Sequence, residues 1–281
     1  MTQMLNNMKY DFAVGFVTYY PPPDFLARLE LLNLLGCKIY LYDNSPEHSL
    51  IKQQIHKLNC ITYVTAGKNL GLGVGLSTIC AQAYYDSFLT LLFFDQDTIF
   101  NQETIGFVQE FCSGSLKQIQ NKYSMVVFGE NGHRIEDKRT LVLSGKFDLV
   151  DVSLAISSGS LFILENLKKI GWHNEKYFVD GVDYEICLKS LANNFKIGKC
   201  FNTPGFDHSS EQPDKAYKIF GASLSLRCYS IFRIIDTTKS NTRLLFSSLK
   251  MGQFKFAVSI MRSYAIYAVA QLLARVVRKR D

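Results

Sequence analysis

The chain has 281 residues, 47% hydrophobic and 13% aromatic, enough apolar side chain to bury a large core and too much for a disordered protein. Its net charge is +6, but seven of its 31 basic residues and one of its 25 acidic ones fall in 250–281, so residues 1–249 carry 24 of each. A neutral body with a basic tail argues against a general nucleic-acid surface and for an anionic membrane surface as the tail's partner. Seven scattered cysteines, none in Cys-x-x-Cys, suit reduced thiols in a cytoplasmic protein better than a disulfide framework or a zinc site. Met1 to Lys9 is polar and lacks the apolar core of a signal peptide.

In chain order, Asp11 to Tyr20 predicts a first strand, closed by the loop Pro21-Pro22-Pro23. Asp24 opens a helix through about Leu35, which Gly36 ends. Cys37 to Tyr42 is a second strand stopping at Asp43-Asn44-Ser45-Pro46, residues 47–58 read as helical, and Cys60 to Val64 is a third strand. A glycine-rich run from Gly67 to Gly75 opens a helix to about Tyr85. The fourth strand, Phe88 to Phe94, is short, continuous and apolar, as expected of a strand covered on both faces, and ends in Asp95-Gln96-Asp97. Four β-loop-α units predict a parallel, doubly wound sheet, with Asp43, Asp95 and Asp97 meeting at its carboxyl edge, where such sheets place ligands. Two carboxylates one residue apart repel, so a hard divalent cation beside them, and a phosphate-bearing substrate, would account for the pattern. A solvated turn rich in Asp accounts for it equally at this point.

The glycine run resembles a dinucleotide fingerprint in Gly71-x-Gly73-x-Gly75, but Leu76 occupies the third glycine's place and the run follows the third strand rather than the first. No Gly-Lys-Ser/Thr occurs in the frame of a P-loop. Residues 101–120 predict a helix, 124–128 a strand, and 129–150 a loop region with room for an edge hairpin. Asp151 to Phe162 reads as a strand broken by small residues at Ser157 to Ser160, which would let backbone approach a ligand closely. Asp180, Asp183 and Glu185 then crowd the start of a helix running to about Ala192. The helix dipole favours acids there, and the i, i+3 spacing of Asp180 and Asp183 puts both on one face if the helix includes both, where a carboxylate could act as a general base. After a strand over Phe195 to Cys200, His208 follows as a surface histidine or a ligand. Phe254 to Val277 is helical in propensity. Arg262 interrupts it, leaving no run of 18 apolar residues for a membrane span, and its drifting polar positions favour two short helices.

Taken in order, Val17-Thr18-Tyr19, Tyr42-Asp43-Asn44-Ser45, Asn69-Leu70-Gly71, Phe94-Asp95-Gln96-Asp97, Ser158-Gly159-Ser160 and Phe178 to Glu185 resemble glycosyltransferase family 2, the inverting GT-A enzymes, and most closely its bacterial rhamnosyltransferase branch. The resemblance covers roughly residues 10–210. It implies an α/β GT-A fold over 1–220, a Rossmann-like, mostly parallel sheet with helices on both faces, followed by a helical, basic C-terminal extension over 221–281. In it, Arg227 to Arg233 looks like a tyrosine- and arginine-containing helix that often follows the catalytic domain. Thr18 and Asp43 would border the base of a nucleotide-sugar donor, Asn69 and Gly71 would line its nucleoside pocket, Asp95 would contact ribose or metal-bound water, and Tyr19 and Gln96 would belong to the same donor site. Asp97, with Asp95 and His208, would hold Mg²⁺ or Mn²⁺. Asp183 aligns with the catalytic base, and Ser158, Gly159, Asp180 and Glu185 would line the acceptor or sugar pocket. Glu185 stands where the family more often has Asp.

The implied reaction moves a sugar, L-rhamnose from dTDP-rhamnose, to a saccharide hydroxyl of a lipid-linked oligosaccharide, a precursor such as O-antigen or capsule. It would run at the inner face of the cytoplasmic membrane, with the C-terminal helices bound to that surface or joining a homo-oligomer. A UDP-hexose or UDP-galactofuranose donor is the alternative within the class. A sugar-phosphate nucleotidyltransferase also uses acids at a sheet edge, but it should carry a glycine-rich, basic loop after the first strand, where this chain has Tyr-Tyr-Pro-Pro-Pro.

Overall fold

A computed structural model describes residues 10–46, 51–129, 142–143, 146–201, 203–208, 215–219 and 222–278. The chain divides into two units, Met1–Phe178 with Val182–Ser209, and Val179–Gly181 with Ser210–Asp281.

In the first unit β1 (Ala13–Thr18) leads through α1 (Phe25–Leu35) to β2 (Lys38–Asp43), then through α2 (Ile51–Gln54) to β3 (Ile61–Thr65), and through α3 (Leu72–Tyr85) to β4 (Thr90–Asp95). β1 is buried along its whole length and β4 up to Phe94, so their unbroken apolar runs belong to strands covered on both faces. α1 stops where Gly36, at φ 79°, turns left-handed and donates its N–H to the last carbonyls. There follow β5 (Thr98–Ile99), α4 (Gln102–Gly114), α5 (Leu116–Ile119), β6 (Tyr123–Phe128), β7 (Asp148–Val152), β8 (Ser160–Ile163), α6 (Leu164–Ile170), α7 (Val182–Ala192), β9 (Lys196–Phe201) and β10 (Asp207–His208). Asn101 caps α4, its side chain accepting from Thr104 N at 2.9 Å. The helix expected over 101–120 is thus two, parted at Ser115.

Among the described residues these strands form an eight-stranded sheet in the order β3-β2-β1-β4-β8-β6-β9-β7. β1 to β4 run parallel, as do β6 and β9, whereas β8 is antiparallel to both β4 and β6, and β7 is antiparallel to β9. The α/β, mostly parallel sheet flanked by helices is therefore as the sequence implied. Residues 151–162, however, are not one interrupted strand. Asp148–Val152 lies at the sheet's edge and Ser160–Ile163 in its middle, so the small-residue stretch carries the chain past two strands. In register, Thr18 stands beside Asp43 and Val17 beside Asp95, which brings the ends of β2 and β4 to one edge with β1 between them. Beneath that edge Phe94 stacks on Phe100 at 4.5 Å and meets Phe206 edge-on at 5.9 Å.

The second unit holds a hairpin of β11 (Lys215–Ile219) and β12 (Ala222–Leu226), then α8 (Ile231–Lys250) and α9 (Phe254–Arg278). The Arg227 to Arg233 segment is only partly helical, because Ser230 caps α8 by accepting from Arg233 N. α9 is one helix of 25 residues, not two. Two of its drifting polar positions turn inward: Gln271 holds Tyr229 N and the Arg227 carbonyl, and Arg275 the Tyr229 carbonyl, while Tyr264 meets the Thr238 hydroxyl. Its exposed positions mix apolar Phe254, Val258, Ile266, Val269, Leu272 and Val276 with Lys255, Ser259, Arg262 and Ser263. By length and composition Phe254–Val276 could cross a membrane, with a mean hydropathy of 1.4 despite Arg262.

Candidate active site

The edge of the first unit is assembled by side chains that tie separate loops together. Asp43, fully buried, accepts from Ser45 N at 2.9 Å and Thr18 Oγ1 at 3.3 Å on one oxygen, and from Tyr63 OH at 2.9 Å on the other. Burial, then the bond to Asp43, raises the Tyr63 phenol. Asn44 holds the glycine turn: its Nδ2 donates to the Gly71 carbonyl at 3.1 Å and its Oδ1 accepts from Leu70 N at 2.9 Å. Asn69 Oδ1 accepts from Gly71 N at 3.0 Å. Gln96 clamps the loop after β1, accepting from Tyr19 N at 2.8 Å and donating to the Tyr19 carbonyl at 3.2 Å, while Arg28 donates to the Gln96 carbonyl at 2.7 Å. The Tyr19 side chain is exposed. Thr18, Tyr19, Asp43, Asn69, Gly71, Asp95 and Gln96 thus all lie in the strand ends and connected loops at this one edge.

The glycine run serves packing. A Cβ on Gly73 would lie 2.6 Å from the carbonyls of Asn174 and Tyr177, and one on Gly75 2.6 Å from Val17. At Gly71, φ is 92° and a Cβ would meet the Phe178 backbone. These glycines let α3 approach the sheet and the 174–178 segment.

The decisive linkage is the dipeptide Ser157-Ser158. Ser158 Oγ accepts from Asp95 N at 3.1 Å and lies 2.8 Å from Thr98 Oγ1, so it grips the acidic turn from both sides of Gln96-Asp97. Ser157, its neighbour, gives both its N–H (3.0 Å) and its hydroxyl (2.5 Å) to Asp183 Oδ1. Gly159 follows at φ 74°, where a Cβ would fall 1.9 Å from the Phe206 ring. On α7 the Cys187 thiol, which burial pushes up to about 12, pins the Ala155 backbone. Burial raises the Asp183 carboxyl and the two Ser157 bonds oppose that rise. Asp183 borders a cavity of about 340 Å³, lined also by Val127, Phe128, Ile156, Tyr184, Lys199 and Phe206. Asp95 and Asp97 are not among its lining residues. Sequence reasoning gave the side chains of Ser157 and Asn44 no role of their own; their signal was adjacency to Ser158 and Asp43.

The other acids of the cluster go elsewhere. α7 begins at Val182, after Gly181 at φ 85°, so Asp180 shares no helical face with Asp183. Within the second unit Asp180 takes a two-pronged bond from Arg233, at 3.0 and 2.6 Å, and one from Thr237. Glu185 is buried and paired with Lys189 at 3.5 Å. Lys189 also donates to the carbonyls of Gly171 and Trp172. Buried His173 nearby is held neutral, its pKa pushed down to about 3 by burial and by Lys189.

β10 pairs antiparallel with β5 so that His208 faces Thr98, the residue after Asp97. Two carboxylates and an imidazole suit Mg²⁺ or Mn²⁺. The His208 side chain lies outside the described residues, and among those described no three His, Cys, Asp or Glu side chains gather as a metal site.

No protein-family profile matches the chain. Its fold is that of GT-A glycosyltransferase structures. It superposes on Staphylococcus aureus TarS with a TM-score of 0.53 at 16% identity, covering 71% of this chain and 36% of TarS, so the chain spans about a third of that protein. With residues 1–349 of TarS in complex with UDP-GlcNAc the TM-score is 0.59 at 15% identity, over 89% of this chain and 71% of that one. With GalNAc-T7 bound to UDP, GalNAc and Mn²⁺ it is 0.57 at 13% identity, over 84% and 47%. In sequence the chain is similar to the dTDP-rhamnosyl transferase RfbF of Shigella flexneri, 23% identical over 230 residues, 78% of this chain and 75% of that protein.

Proposed function

We propose that this protein is a metal-dependent inverting glycosyltransferase that moves L-rhamnose from dTDP-rhamnose to a saccharide hydroxyl of a lipid-linked cell-surface polysaccharide precursor. The observation that carries the reading is the Ser157-Ser158 bridge, which joins a buried carboxylate beside a cavity to the acidic turn at the sheet's edge. The solved structures with UDP-GlcNAc, or with UDP, GalNAc and Mn²⁺, support a nucleotide-sugar donor and a divalent cation. The similarity to RfbF favours rhamnose.

In this reading the loops clamped by Asn44 and Gln96 bind and orient the donor. Asp95, Asp97 and His208 would hold Mg²⁺ or Mn²⁺, which when bound neutralises charge on the departing diphosphate. Asp183, with Oδ1 fixed by Ser157, presents Oδ2 to the acceptor hydroxyl and takes its proton as the oxygen attacks the anomeric carbon. A single displacement inverts that carbon. The exposed apolar side chains of α9 and the basic residues of the tail would hold the enzyme on the anionic inner face of the cytoplasmic membrane.

The test sets dTDP-L-rhamnose against UDP-hexoses and UDP-galactofuranose with Mn²⁺, Mg²⁺ or a chelator, read by thermal shift and by nucleoside diphosphate release. Stabilisation and turnover with dTDP-rhamnose, lost on chelation, are expected. A preference for a UDP-sugar would move the donor, and turnover with no nucleotide-sugar would overturn the reading. Flotation with vesicles containing phosphatidylserine, and failure to float with neutral ones, is expected of the tail.

A further inference from the structure

The cavity beside Asp183 carries a second charge that the proposed transfer does not use. Lys199 projects from β9, where its backbone stands in register with Val127 on β6 and Val150 on β7, so it is mounted on a strand paired on both sides rather than on a loop. Its ammonium lies 5.3 Å from the centre of the Phe201 ring. Three residues earlier on the same strand, Lys196 is paired with Asp151 at 2.6 Å. Lys199 has no carboxylate partner among the described residues. Nor is it the counter-ion of Asp183, whose carboxyl is set by burial and by the two Ser157 bonds. The remaining walls are mostly apolar, from Val127, Phe128, Ile156 and Phe206, with the Tyr184 ring among them.

Resting on the glycosyl-transfer reading, we propose that this cavity is an acceptor subsite for a sugar bearing an anionic substituent, a carboxylate or a phosphate, with Lys199 receiving the charge while a hydroxyl faces Asp183. The cavity's volume of about 340 Å³ lies within the usual span of small-molecule sites, about 300–1,000 Å³. An ammonium among apolar walls loses hydration when a ligand closes over it, and only an anion restores that loss. A charge-assisted bond is also roughly twice as strong as a neutral one, so it discriminates between acceptors of the same shape. The apolar walls and Tyr184 suit the carbon face of a pyranose ring, which lets one rigid pocket read ring, hydroxyl and charge together.

The experiment titrates the full-length protein by NMR with methyl β-D-glucuronide, the 6-phosphate of methyl β-D-glucoside, and methyl β-D-glucoside itself, alongside Lys199→Met and Lys199→Arg. The wild type should bind at least one acidic sugar about tenfold more tightly than the neutral one, equivalent to one charged hydrogen bond of about 1.4 kcal/mol. Comparing the two acidic sugars tells carboxylate from phosphate. Lys199→Met should erase the preference and Lys199→Arg keep it. Equal affinities in the wild type, no binding of any of the three, or a preference that survives in Lys199→Met would overturn the proposal. Nucleoside diphosphate release from dTDP-rhamnose or a UDP-sugar, measured on the same preparations, separates the two readings. An acid preference without donor turnover sinks the transfer reading, and turnover without an acid preference sinks this one.

Discussion

The two sides of α7 show how one short acidic stretch can serve opposite ends. Asp183 and Glu185 are two residues apart, about 200° around a helix of 3.6 residues per turn. Both are buried, and burial raises both carboxyls. On one side Asp183 meets two donors from Ser157 and a cavity. On the other, Glu185 meets Lys189, which in turn holds the carbonyls of Gly171 and Trp172. That ion pair secures the segment whose carbonyls at Asn174 and Tyr177 the glycines of α3 approach. The difference teaches that a buried acid is functional or structural according to what answers it. A cation that closes the account leaves nothing for a substrate, whereas neutral donors on one oxygen leave the other oxygen's basicity available.

Substitutions at five positions would break or sharpen that contrast. Asp183→Asn should lower turnover about a thousandfold with the fold intact, as expected on losing a general base. The same change should stabilise the protein. A carboxyl raised on folding contributes stability fully present below its unfolded pKa and lost as pH rises through its folded value. Urea midpoints should therefore fall less with rising pH in the variant. On the opposite side, Lys189→Ala should cost about 3 kcal/mol of stability by leaving Glu185 buried without its cation, and Glu185→Leu with Lys189→Met should recover most of it. Turnover per folded molecule should change little, and a thousandfold drop there would erase the distinction between the two sides.

Ser157→Ala should reduce turnover at neutral pH about tenfold by removing one charged hydrogen bond. Its rate should rise only at higher pH than in the wild type, because the lost donor had held the Asp183 carboxyl down. An unmoved pH profile would show that Ser157 does not set the base, and Ser157→Thr should restore most of the activity. Asp180→Asn should have the smallest effect, about 1 kcal/mol or less, since its pair with Arg233 is partly exposed to solvent.

Legibility in the sequence followed the range of the physics. Apolar runs such as Leu91 to Phe94 and the turn chemistry of Gly36 act within a few residues, so strands, helices and the layered sheet could be read directly. Asp95-Gln96-Asp97 and Asp183 could be singled out as residue types at element ends. The reading failed where a segment's partner lay far off in the chain. The 151–162 stretch looked like one strand because alternation does not say which neighbour each half pairs with, and β7 and β8 took places with two strands between them. α9 looked like two helices because its polar positions drifted; in one helix Gln271 and Arg275 turn to Arg227 and Tyr229 while Lys255, Ser259, Arg262 and Ser263 stay exposed.

By itself, then, the sequence determined the α/β architecture and the presence of acids at the ends of β2 and β4 and the start of α7, because local propensity and hydrophobic period need no distant information. Only the tertiary structure decided which acid would stand beside a cavity. Asp180, Asp183 and Glu185 are near neighbours in the chain, and their separate roles come from Arg233, Ser157 and Lys189. Just one of these, Lys189, lies a single helical turn away, and the other two were brought in by folding.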